Sequence, residues 1–67
     1  MEKPYRVIGN FPRLIYGAHR TPGAAHKDAI LVSQRWGKTP SGAIVVEKWV
    51  PREGWVEVSV YVDGRQL

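Results

Sequence analysis

The 67-residue chain contains no cysteine and no long apolar segment. Without thiols the protein can form neither a disulfide nor a thiolate zinc site, so only its core or a partner can stabilise it. No segment approaches the roughly 20 apolar residues that cross a bilayer, and residues 1–4 lack the apolar part of a secretory signal. We therefore expect a cytoplasmic protein that does not enter the membrane.

The small size of the chain limits its core. We expect one small domain, residues 1–67, and such a domain buries only about 60% of the surface that its unfolded chain exposes. Hydrophobic residues at 43% and charged residues at 24% are typical of a folded protein and not of a disordered tail. Large apolar side chains that so small a core leaves uncovered are expected to contact a partner.

Acidic residues are scarce in the first two-thirds of the chain. Residues 3–46 carry seven Lys and Arg against one acid, Asp28, whereas residues 47–67 carry three Lys and Arg against four acids. The formal net charge of +4 therefore belongs to the first part of the chain. A positive field of this kind attracts an anionic partner, most commonly a nucleic acid.

The best-marked element is a helix predicted over residues 22–36. Thr21 is a typical N-cap, and the proline after it occupies the first helical position, where a missing N–H costs nothing. Gly37 is expected to end the helix in the left-handed conformation. Apolar residues between these ends recur at spacings of four, three and four, which predicts one core-facing stripe: Ala25, Ala29, Val32 and Trp36.

A β-hairpin is predicted after the helix. Residues 55–62 alternate valine with polar or aromatic residues, the pattern of a half-buried strand. Residues 43–50 form a second β-prone run, with residues 52–54 as the loop between the two. In this register Val46 faces Val60, so the valine-rich side of the hairpin is expected to pack on the helix.

Two shorter β-prone runs, residues 5–8 and 13–16, precede the helix and are separated by the turn-forming residues 9–12. They form either a first hairpin or one strand beside a wide loop. The predicted fold is α+β, of order β(β)αββ, with an antiparallel sheet of three or four strands and one helix on one face. The expected core comprises Ala25, Ala29, Val32, Trp36, Ile44, Val46, Val50, Val56, Val58 and Val60.

The first candidate for a functional surface is the turn and helix over residues 19–38. Its cations are expected to contact phosphates. They are Arg20, Lys27, Arg35 and Lys38. The alternative is that these charges serve solubility alone, since they are dispersed singly and do not form a basic arm.

The second candidate surface is the aromatic side of the predicted hairpin, which carries Trp49, Trp55 and Tyr61. Trp49 is expected to face Glu57 across the hairpin, and carboxylates beside the rings disfavour a phosphate chain. Trp and Tyr dominate the hot spots of protein interfaces, so this side fits a protein partner or a homo-oligomer. On this hypothesis the protein is an adaptor or inhibitor from a mobile element or bacterial virus. Alternatively, the N-terminal strands cover these rings within the monomer.

The sequence contains no pattern that predicts catalysis or metal binding. His19 and His26 have one carboxylate nearby, Asp28, and a metal site needs three or four ligands. Ser33 lies two helical turns from His26, without a third group to orient a base. We therefore expect a protein that is not an enzyme and has no metal or cofactor. It is either a nucleic-acid-binding or regulatory module or a protein-interaction domain.

Overall fold

The computed structural model describes residues 2–10 and 13–67. Over these residues one α-helix packs on a five-stranded antiparallel sheet. The elements are β1 (Tyr5–Asn10), β2 (Arg13–His19), α1 (Pro22–Trp36), a short 3-10 helix (Pro40–Gly42), β3 (Ile44–Val50), β4 (Gly54–Val62) and β5 (Arg65–Gln66). In the same residues no helix has the length and apolar character that a membrane crossing needs.

The α+β class is confirmed, but the described residues form five strands and not the predicted three or four. The strand order is β2-β1-β3-β4-β5, so the N-terminal segment supplies both an edge strand and an inner strand. β2 continues past the predicted end at Gly17, because His19 still pairs with Tyr5. Of the predicted turn at residues 9–12, Phe11 and Pro12 lie outside the described residues.

β5 is the strand that the sequence pattern did not predict. It follows a two-residue turn at Asp63 and Gly64, whose φ angles are 48° and 81°. Asp-Gly is a preferred pair for a type I′ hairpin turn, because both positions need positive φ. The turn docks on the end of α1, where the Gly37 carbonyl accepts from the Asp63 N–H at 2.8 Å and the Ser33 hydroxyl accepts from the Gly64 N–H at 2.9 Å.

The bounds of α1 are confirmed. The Thr21 hydroxyl accepts from the Ala24 N–H at 3.2 Å, which satisfies one of the free donors of the first turn. The expected left-handed conformation at Gly37 is wrong, since φ is −121° and ψ is 50°. Glycine is required there for close approach, because a Cβ would lie 2.7 Å from Ile44 Cγ1.

The core lies between α1 and the three central strands. Its members are Val7, Ala25, Ala29, Ile44, Val46 and Tyr61. The inward stripe of α1 ends at Ser33 and not at Trp36, which is 60% exposed. Ser33 donates its hydroxyl to the Ile30 carbonyl at 3.0 Å, so this buried polar side chain is satisfied within the helix.

The register of β3 and β4 differs from the prediction because of a bulge. Val46 pairs with Ser59, but its neighbour Glu47 pairs with Glu57, which leaves Val58 as the extra residue. A one-residue shift moves every following side chain to the other face of the sheet. Tyr61 therefore faces α1 and is 1% exposed.

The bulge explains only part of the errors in the predicted core, because it affects Val58 and the residues after it. Among the predicted members, Ala25, Ala29, Ile44 and Val46 are buried and Val32, Val50 and Val60 are half-buried. The prediction is wrong for three residues, which are exposed: Trp36, Val56 and Val58. The hairpin loop also lies one residue earlier than expected, at residues 51–53, because Val50 pairs with Gly54.

Candidate functional site

The outer side of α1 presents cations to solvent. Lys27 and Arg35 are eight positions apart, which is about 12 Å along the axis, and both are exposed. Leu31 lies between them and is 66% exposed. Because the stripe from Ala25 to Ser33 faces the sheet, these three residues form the stripe on the opposite side of the helix.

Two further cations flank this stripe. Arg20 lies in the bend before α1 and Lys38 follows its end, and both side chains are exposed. The 15-residue helix is about 22 Å long, so the positive charge extends along its whole length. These residues are named the basic surface: Arg20, Lys27, Arg35 and Lys38.

The single acid of α1 is paired with a side chain of β2. Asp28 Oδ2 lies 2.7 Å from Nε2 of His19 on β2. Gly17 makes room for this carboxylate, since a Cβ there would lie 2.6 Å from Asp28 Oδ2. The packing of α1 on β2 therefore pairs the one negative side chain of the helix with His19 and not with a cation of the basic surface.

The basic surface is not neutralised by ion pairs within residues 2–10 and 13–67. The ion pairs of this part of the chain are Arg6–Glu47, Arg13–Glu47 and His19–Asp28. At the end of α1 the backbone N–H of Asp63 donates to the Gly37 carbonyl, which brings an acidic residue close in the fold to Lys38.

Trp36 is an exposed aromatic residue beside the basic surface, and its predicted place in the core is wrong. It is 60% exposed, and the Arg35 guanidinium lies 5.4 Å from the centre of its ring. It is the last residue of α1, and the buried stripe of the helix has already ended at Ser33. Helical periodicity alone gives no sign of this, because it cannot show where the sheet ends.

Trp49 and Trp55 lie on the distal face of the sheet, the side away from α1, together with Arg6 and Glu47. The two indoles pair across β3 and β4, with ring centres 5.6 Å apart at an angle of 70°. Trp49 therefore faces Trp55 and not Glu57 as predicted. Both rings are half-buried.

An ion pair holds one of these rings in place. The Arg6 guanidinium carbon lies 4.1 Å from the centre of the Trp55 ring, and its Nε donates to Glu47 Oε1 at 2.7 Å. This pair is largely buried, with 16% and 12% of the two side chains exposed. On the distal face, the charges of Arg6 and Glu47 and one face of the Trp55 ring therefore make contacts within the chain.

The predicted grouping of Tyr61 with Trp49 and Trp55 is wrong, because the bulge places Tyr61 under α1. Its hydroxyl lies 2.7 Å from Nδ1 of His26 and accepts from the Ser59 hydroxyl at 3.2 Å. His26 and Tyr61 are 35 positions apart, so no local pattern indicates this contact.

Comparison of the chain with protein-family models, curated proteins and solved structures found no match.

Proposed function

We propose that the protein is a non-catalytic nucleic-acid-binding module that contacts phosphates with the outer side of α1. The observation that carries this proposal is the orientation of Asp28. Because its carboxylate is paired with His19, Asp28 does not pair with the cations of the basic surface. Uncompensated Lys and Arg side chains bind a phosphate backbone by releasing its condensed counterions.

Duplex DNA suits this surface better than duplex RNA. The major groove of B-DNA is about 12 Å wide and admits an α-helix, whereas that of A-form RNA is too narrow for one. Lys27 and Arg35 would reach the phosphates at the groove edges. Leu31, exposed between them, is the apolar group that would meet base edges, where thymine methyl groups lie.

The alternative, a protein partner or second copy on the distal face, has less support. Trp49 and Trp55 were its expected anchors, and they pack against each other. Arg6 covers one face of Trp55, and Tyr61 is buried on the other side of the sheet. Hot spots need rings that are free to enter a partner's pocket, and these rings already have intramolecular contacts.

Binding of a labelled DNA duplex, followed by fluorescence anisotropy at several salt concentrations, tests the proposal. Four phosphate contacts predict a log–log slope of about −3.6, so affinity falls about 150-fold between about 50 and 200 mM salt. The double variant Lys27→Gln/Arg35→Gln is expected to reduce the magnitude of that slope by about 1.8.

The matched control is Arg52→Gln/Arg65→Gln, which removes the same charge from the β3–β4 loop and from β5. It should leave the slope within about 0.5 of the original value, since charges without phosphate contact release no counterions. An equal loss in both double variants would mean that net charge alone drives binding. No binding of duplex at low salt would exclude the proposal.

A further inference from the structure

A cleft of about 390 Å³ opens between the start of α1 and the strands beneath it. Pro22 and His26 form its helical wall, Lys48 lies on β3, and Val58 and Ser59 lie on β4. Its volume is in the range of small-molecule sites. None of these five residues belongs to the basic surface.

The imidazole of His26 is oriented by two hydroxyl groups at the base of this cleft. The Ser59 hydroxyl donates to Tyr61 Oη, so the proton of Tyr61 is directed to Nδ1 of His26, 2.7 Å away. In the neutral ring the proton is then on Nε2, at the other edge of the imidazole. In this tautomer the Nε2–H of His26 is a hydrogen-bond donor.

The charge of the cleft is that of a single cation. Among the described residues that line it, Lys48 is the only Lys or Arg, and there is no Asp or Glu. The Lys48 ammonium lies 5.8 Å from the centre of the Tyr5 ring, which is also part of the wall. One uncompensated positive charge beside the imidazole of His26 matches one negative charge on a ligand.

The bulge in β4 supplies an apolar wall. Val58, the extra residue of the bulge, is 51% exposed and lines the cleft together with the buried Val46. Bulges redirect side chains next to binding sites. An apolar side chain left half-exposed beside Lys48 gives the cleft one charged end and one apolar wall.

We propose that this cleft binds a small organic monoanion, a carboxylate attached to an apolar body. Lys48 and the Nε2–H of His26 hold the carboxylate, and Val58 packs against the apolar part. This inference is independent of the proposed DNA binding, because the two sites share no residue.

Benzoate is the probe, and benzamide is its uncharged control of the same shape. In ¹H–¹⁵N NMR spectra benzoate is expected to shift the imidazole signals of His26 and the amides of Val58 and Ser59, with a dissociation constant on the order of 1–10 mM for so small a ligand. The imidazole of His19 is an internal reference, because it lies on β2 against Asp28. Benzamide should bind at least about fivefold more weakly.

Lys48→Gln is expected to weaken benzoate binding about fivefold, from the loss of one partly solvated charge contact, while Lys27→Gln leaves it unchanged. Lys48→Gln should leave duplex DNA affinity unchanged, so the two proposals can fail separately. Three results would overturn the cleft proposal: no saturable shift with benzoate at about 50 mM, equal shifts of both histidines, or equal weakening by the two lysine variants.

Discussion

Cations lie on both sides of this small molecule, but the two sides differ in whether a carboxylate lies beside them. On the distal face Arg6 lies 2.7 Å from Glu47, and Arg13 lies 4.0 Å from the same carboxylate. On the outer side of α1, Lys27 and Arg35 have no carboxylate within 4.0 Å among the described residues. The cations of the two sides are of similar residue types, and only the positions of the acidic residues distinguish them.

The comparison shows why net charge is a poor guide to a binding surface. The pairing of β1 with β3 holds Glu47 beside Arg6, so these two charges of the distal face stabilise the fold. Asp28, the acid of α1, is paired with His19. We therefore expect changes on the distal face to affect stability, and changes on the outer side of α1 to affect binding.

The largest expected effect comes from the tryptophans. Trp49→Ala removes a half-buried ring that packs on Trp55, and should lower the free energy of unfolding by about 3 kcal/mol, the lower end of the range for a buried ring. Trp36→Ala, at a largely exposed ring, should lower it by less than about 1 kcal/mol. Urea denaturation of the two variants measures the difference. Equal losses would contradict the structural role assigned to the distal face.

A smaller loss is expected when the distal ion pair is broken. Glu47→Gln leaves the largely buried guanidinium of Arg6 without its charged partner, and should cost about 2 kcal/mol of unfolding free energy. Glu57→Gln removes an exposed carboxylate that pairs directly with Glu47 in the sheet. This control should be neutral or slightly stabilising, because like charges opposite each other repel. Thermal unfolding that ranks Glu57→Gln as the more damaging change would refute the assignment.

The smallest effects are expected at two glycines, Gly17 in β2 and Gly23 in the first turn of α1. Gly17→Ala would force a methyl group against Asp28 Oδ2, and should lower stability by about 1 kcal/mol while separating the carboxylate from His19. At Gly23 a Cβ meets open space, so Gly23→Ala should raise stability by about 0.5 kcal/mol through its higher helix propensity.

The same pair of variants tests how the basic surface is kept free of acid. Gly17→Ala should also weaken duplex binding, since the displaced carboxylate adds a negative charge near Lys27, whereas Gly23→Ala should not. Anisotropy and urea denaturation provide the two measurements. If Gly17→Ala proves as stable as the original protein and binds DNA equally well, the packing of Asp28 has no part in the function.

Local signals predicted the helix well. Thr21 and the proline after it mark its start, and Gly37 lies directly after its last residue, as expected. The turn at Asp63 and Gly64 also has a local signal in its Asp-Gly pair, although β5 itself was not predicted from it. Each of these features depends on residues a few positions apart, so the sequence can show them.

The bulge at Val58 has no such signal. Valines alternate with other residues from Val56 to Val62 without a break, so the pattern favours a regular strand throughout. The bulge results from pairing with β3, and it moves Tyr61 from the expected aromatic side to the core beside His26. The cleft, with its apolar wall at Val58, depends on the same shift.

The sequence by itself determined the α+β class, the bounds of α1 and the concentration of positive charge before residue 47. The tertiary structure alone decided which cations meet a carboxylate and which aromatic rings are buried. Caps and helical periodicity act within one or two turns, whereas ion pairs and sheet faces depend on register between distant strands. A single extra residue in that register is enough to exchange the two faces of a strand.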